Sequence, residues 1–67
     1  MKLTYDKDVD AAYLYIENIG KGESKKTVIL SPKIILDLDK QGKLLGIEFL
    51  DASKLLRKQA ILEAQQL

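Results

Sequence analysis

The chain's 67 residues make one domain, 1–67, and a domain of this size buries only roughly 60% of the surface its unfolded form exposes, so it needs support from disulfides, a metal or a partner. Cysteine and histidine are both absent, which excludes disulfides, zinc and most transition-metal sites and leaves association as the expected support. Eleven basic against ten acidic residues give a net charge of +1, without the concentrated basic excess of a nucleic-acid binder.

The apolar content of 46% is that of a globular chain. No apolar run approaches the ~20 residues needed to cross a bilayer, and the polar start MKLTYDKD is no signal peptide. A cytoplasmic domain with no membrane span is expected.

Residues 2–5 alternate polar and apolar, with Leu3 and Tyr5 on one side, as a short strand does. Residues 12–17 (AYLYIE) alternate again: Ala12, Leu14 and Ile16 face one way, Tyr13 and Tyr15 the other. Between these strands Asp6, Asp8 and Asp10, together with Glu17, have the ligand spacing of a calcium loop. Such a loop needs glycine at its sixth position, where Ala11 stands. It must also curl around the ion, whereas a strand rising about 3.3 Å per residue would carry Glu17 roughly 20 Å beyond Asp10. The segment therefore reads as a turn in which Asp6 and Asp10 accept local backbone N–H bonds. No metal or cofactor is expected.

Residues 18–26 (NIGKGESKK) read as an exposed loop, and 27–31 (TVILS) as a third strand, less distinct than the others, which Pro32, unable to donate a ladder hydrogen bond, either closes or marks as an edge. Residues 34–38 (IILDL) place Ile34, Leu36 and Leu38 inward, with Ile35 and Asp37 outward. Asp39 to Gly42 suits a tight hairpin, because Asp opens a turn well and Gly takes positive φ as it closes. Residues 43–49 then put Leu45, Ile47 and Phe49 on the inner face. At Asp51, an expected helix N-cap, the period changes from 2 to 3.6, and no Gly or Pro interrupts a helix over 52–66. The predicted fold is α+β: an antiparallel β-meander of four to five strands followed by one C-terminal helix packed on the sheet.

A single helix covers one face, expected to be that of Leu3, Tyr5, Leu14, Ile16, Leu36, Leu38, Leu45, Ile47 and Phe49. The other face carries Tyr13, Tyr15, Ile35 and Leu44, with Gly46 permitting close approach of a ring or a backbone. A contiguous apolar patch of this kind, edged by Asp37 and Glu48, marks an interface. The helix has a similar excess. At about 100° per residue its apolar positions cover more than half the circumference, with Ile61 outside the main arc. The first turns are expected on the sheet, and the last, with Ile61, Leu62 and Leu67, against a second subunit or partner.

Two blocks, TYDKDVDAAYLYI (residues 4–16) and ILDLDKQGKLLGIEFLDAS (residues 35–53), resemble in order the two signature blocks of a family of small bacterial and archaeal proteins, the domain of unknown function 2283 family. The chain departs from that pattern in the long 18–33 connection and in the C-terminal tail. The resemblance implies a small α+β domain with no established activity and no catalytic residues to carry over. Some members are encoded beside small toxin-like proteins resembling messenger-RNA interferases, which implies an antitoxin-like or other partner-binding role.

Catalysis has little support. The serines at 24, 31 and 53 have no activating base near them in sequence, and the remaining candidates are the carboxylates Asp37 and Glu48, which would need burial to raise one pKa. Lys54, Arg57 and Lys58 share a polar sector with Gln65 on the predicted helix and offer a weak basic patch for RNA or DNA. The leading expectation is a non-catalytic, homodimeric interaction module. A small enzyme using Asp37 and Glu48, and a nucleic-acid binder through 54–58, stand as alternatives.

Overall fold

The computed structural model describes residues 1–17 and 26–67. The loop expected over 18–26, and Ser24 with it, lies outside the described residues except for Lys26. The elements are β1 (Lys2–Asp6), β2 (Ala11–Tyr15), β3 (Lys26–Ser31), β4 (Ile34–Leu38), β5 (Leu44–Leu50), α1 (Ala52–Leu55), α2 (Lys58–Glu63) and β6 (Gln65–Gln66). The class is α+β, but among the described residues the sheet has six strands rather than four to five, and the single predicted helix is two short ones.

The strand order is β3-β4-β5-β2-β1-β6. A simple meander would set β2 beside β3. Instead the β1–β2 hairpin docks on the far side of β5, so that only β3, β4 and β5 form a meander. All pairings are antiparallel except β1 with β6, which is parallel.

The two turns predicted from aspartates form as different devices. In the β4–β5 hairpin Asp39 Oδ1 accepts the N–H groups of Gln41 and Lys43, each at 2.9 Å, and Gly42 takes φ 83°. In the β1–β2 turn Asp6 acts locally as expected, accepting Asp8 N–H at 3.0 Å. Asp10 does not. It sits in the left-handed region at φ 52°, and its side chain reaches across the fold.

Asp10 Oδ1 accepts Ser53 N–H at 3.0 Å, Oδ2 accepts the Ser53 hydroxyl at 2.7 Å, and the Tyr5 hydroxyl donates to Oδ1 at 2.8 Å. The Asp10 carbonyl accepts Ala52 N–H at 2.9 Å. The first turn of α1 is thus capped by a carboxylate distant in sequence, in the way an N-cap side chain ordinarily acts. Asp51 does occupy the N-cap position, but the expectation that its carboxylate caps the first turn is corrected. Asp51 has φ 52° and ψ 46°, makes no side-chain cap, and pairs instead with Lys33 at 3.0 Å.

Tyr5 and Ala12 face each other across β1 and β2. With Tyr5 bound to Asp10 and both Ala12 and Ala52 buried, α1 begins over the face that these two residues share. The helix then ends early. Leu56 is extended and donates to the Ala52 carbonyl at 2.8 Å, and Arg57 is extended at ψ 145° before α2 begins. Neither glycine nor proline marks the break. Helices of four and six residues have no stability of their own, so their course follows the contacts available: Ala52 under Asp10 at one end, and at the other β6 against β1, with Leu67 N–H on the Tyr5 carbonyl at 2.9 Å.

The buried apolar residues among those described are Ala12, Leu45, Ala52 and Ala64, and Thr4 is the buried polar one. Three alanines and one leucine make a small core. The remaining large inward side chains, Leu3, Leu14, Leu36, Ile47 and Phe49 among them, are only half-buried.

Candidate interaction surface

Register sorts the sheet into two faces. Leu3, Leu14, Ile47, Leu36 and Val28 stand directly opposite one another from β1 to β3 and form one continuous apolar row. On the opposite face Thr4, Tyr13, Glu48, Ile35 and Ile29 form a second row, and Tyr15, Gly46, Asp37 and Thr27 a third. Tyr13, Tyr15, Ile35 and Gly46 therefore share the face predicted for them, together with Asp37 and Glu48.

Asp37 and Glu48 are diagonal neighbours, since Asp37 faces Gly46 and Glu48 faces Ile35. Leu44 behaves differently. The register shifts between Asp37 and Leu38, leaving Leu45 as the extra residue of a bulge and bringing Leu38 opposite Leu44. The inward-outward alternation that separated those two leucines therefore fails at the hairpin end.

The centre of this face is built around Gly46. The Tyr13 ring lies over it so closely that a Cβ there would come within 2.7 Å of Tyr13 Cζ. Glycine at 46 lets the ring cross β5, and the Tyr13 hydroxyl then donates to Asp37 Oδ2. Thr27 Oγ1 donates to Asp37 Oδ1 at 3.2 Å. Burial, followed by the Asp37 bond and charge, raises the Tyr13 phenol above the ordinary tyrosine range. The Tyr15 ring packs beside Tyr13 with centroids 4.5 Å apart and planes tilted by 51°. Asp37 is thus engaged through both oxygens in tying β2, β4 and β3 together.

The helical candidates lie elsewhere. Ile61 is half-buried, whereas Leu62 is 63% and Leu67 70% exposed. Leu67 is not helical, because the chain has left α2 at Glu63 and entered β6. The shared polar sector of Lys54, Arg57, Lys58 and Gln65 dissolves for the same reason: Lys54 is on α1, Lys58 on α2 and Gln65 on β6. Among the described residues no three Asp, Glu, Cys or His side chains group closely enough to hold a metal. Among them no helix is long and apolar enough to cross a membrane.

One strongly exposed apolar segment is absent from the sequence-based candidates. Ile29 and Leu30 of β3 are 70% and 64% exposed, and Val28 beside them is also exposed. The signal was present in the run Val28-Ile29-Leu30, three apolar residues without alternation, which implies contact on both faces of a strand. The Tyr5–Asp10–Ser53 clasp had no comparable signal, because nothing local joins position 10 to position 53.

A family profile described as protein of unknown function (DUF2283) matches residues 2–53. No curated protein and no solved structure matches the chain. The matched span runs from β1 to the first turn of α1 and so contains both halves of the Asp10–Ser53 clasp and both strands that frame Gly46.

Proposed function

The chain belongs to the DUF2283 family of proteins of unknown function, and from that premise we propose that it works as a non-catalytic, cytoplasmic interaction module that completes its packing on a partner. The observation that carries this reading is the imbalance between core and surface. Buried apolar residues among those described amount to three alanines and Leu45, while Val28, Ile29, Leu30, Leu55, Leu62 and Leu67 are exposed. A small domain with so little core gains most from covering such residues.

The partners proposed are a second copy of the chain and, from the genomic company of related proteins, a small toxin-like protein that this chain would bind in the manner of an antitoxin. Asp37 supports the non-catalytic side of the reading, because its two oxygens already serve Tyr13 and Thr27. Light scattering tests the proposal, measuring the mass of the protein alone and after co-expression with the product of its neighbouring gene. A dimer, or a stable second complex, is the expected result. A monomer that ignores its neighbour overturns the proposal and turns attention to Asp37 and Glu48 with a substrate screen.

A further inference from the structure

The two edges of the sheet are unlike. One ends in β6, two exposed glutamines long. The other ends in β3, six residues long, on whose outer side no strand lies among the described residues. An edge strand presents a line of unpaired N–H and C=O groups, and proteins ordinarily blunt it with charge or proline. In β3 the charge is Lys26 at its first position, Pro32 comes only after its end, and the register against β4 shifts at Leu30, a bulge near the end of the strand, so the regular stretch 27–29 carries no such device.

Resting on the interaction-module reading, we propose that β3 is the dimerisation element and that its occupant is β3 of a second copy, paired antiparallel about a two-fold axis at Val28. Three observations select this arrangement. The apolar row Leu3-Leu14-Ile47-Leu36-Val28 reaches the edge at Val28, so an axis there continues it into the row of the partner as one uninterrupted apolar stripe. An axis normal to the sheet keeps equivalent faces together and sets Thr27 opposite Ile29 of the second copy, while Lys26 falls beside the bulged Leu30, where regular pairing ends. No like charges then meet, since Lys26 lies beside an apolar side chain whose neighbours are uncharged. Finally, Ile29 and Leu30, the most exposed apolar residues of the strand, flank the axis and are covered by it.

The footprint is modest. An edge six residues long spans about 20 Å, and a sheet is about 10 Å thick, giving roughly 200 Å² against the ~800 Å² per partner of a standard interface. The dimer is therefore reversible and concentration-dependent rather than obligate.

Sedimentation across a concentration series, together with cross-linking through single introduced cysteines, tests this in a chain that has no cysteine of its own. At a two-fold axis the Cα atoms of paired residues stand about 4.5–5.5 Å apart, within disulfide range. Val28→Cys treated with a thiol oxidant should convert to covalent dimer, while Leu62→Cys should not. Ile29→Lys, at a solvated position that leaves the fold intact by circular dichroism, should weaken the dimer at least tenfold. A dimer indifferent to Ile29→Lys, with no cross-link at Val28→Cys, overturns the β3 edge but leaves the interaction module standing through another surface. A monomer at every concentration that still binds its neighbour also overturns the edge alone. A monomer that binds nothing overturns both.

Discussion

Gly46→Ala tests the construction of the Tyr13 face. A Cβ at this position would lie 2.7 Å from Tyr13 Cζ, well inside van der Waals contact, so the ring must move. Overpacking a well-filled site costs about 1–3 kcal/mol, and the low end applies because Tyr13 is half-buried and can swing toward solvent. Swinging out forfeits the bond to Asp37, worth about 1 kcal/mol. Against this, alanine relieves the chain-entropy cost of glycine within a strand by about 0.5–1 kcal/mol. The balance is a loss of about 1–2 kcal/mol, and at about 4–8 °C per kcal/mol for a domain this small the melting temperature should fall by about 5–15 °C.

A double-mutant cycle with Tyr13→Ala, read by thermal and urea unfolding, isolates the cause. With the ring removed, Gly46→Ala should become neutral or stabilising. An equal loss in both backgrounds, or no loss in the wild type, refutes the argument that Gly46 exists to admit the ring.

Asp10 makes a pH prediction. Its hydrogen bonds from Ser53, and then the one from Tyr5, hold its carboxyl below the usual carboxylate value. A depressed folded-state pKa stabilises the fold at pH above the unfolded value, and this contribution is lost as pH falls through the folded one. Melting temperature should therefore drop on acidification below about pH 4, and Asp10→Asn should flatten that part of the curve. An unchanged acid limb in the variant would remove Asp10 from the account. At the alkaline end, absorbance titration should find Tyr13 and Tyr5 ionising late, Tyr13 through burial and Asp37 and Tyr5 through its bond to Asp10, and Asp37→Asn should bring Tyr13 down while leaving circular dichroism unchanged. Truncation after Ala64 removes β6 and the Leu67–Tyr5 bond. Hydrogen exchange at Tyr5, whose backbone faces β6, should then accelerate, and unchanged protection there would show that β6 contributes nothing to that edge.

What could be read from the sequence follows the reach of the signals. Strand positions came from alternation, and the Asp39–Gly42 hairpin from turn chemistry that involves only neighbouring residues. The assignment of Tyr13, Tyr15, Ile35, Gly46, Asp37 and Glu48 to one face follows from parity alone, and the register agrees. Parity failed at Leu38 and Leu44, where a bulge adds a residue that no local pattern marks.

Strand order was not legible either, because the connection from β2 can carry the chain to either side of the sheet. The helix was overextended for a related reason. Propensity over 52–66 is uniformly good, and the break at Leu56 and Arg57 answers to Asp10 and to β1, contacts made far away in sequence. Residues 27–31 read as a strand that Pro32 either closes or places at an edge, and the choice between the two is a property of strand order.

The parallel pairing of β6 with β1 joins residues 65–66 to residues 4–5, and this has a consequence for the order of assembly. On one side β1 meets its hairpin neighbour β2, and on the other a strand far away in sequence. Until that second pairing forms, β1 is an open edge, and α1 and α2, too short to persist unaided, have not yet been tied down between Asp10 and Tyr5. Closing that edge waits on a contact of long sequence separation, whereas the hairpins beside it form from neighbouring residues.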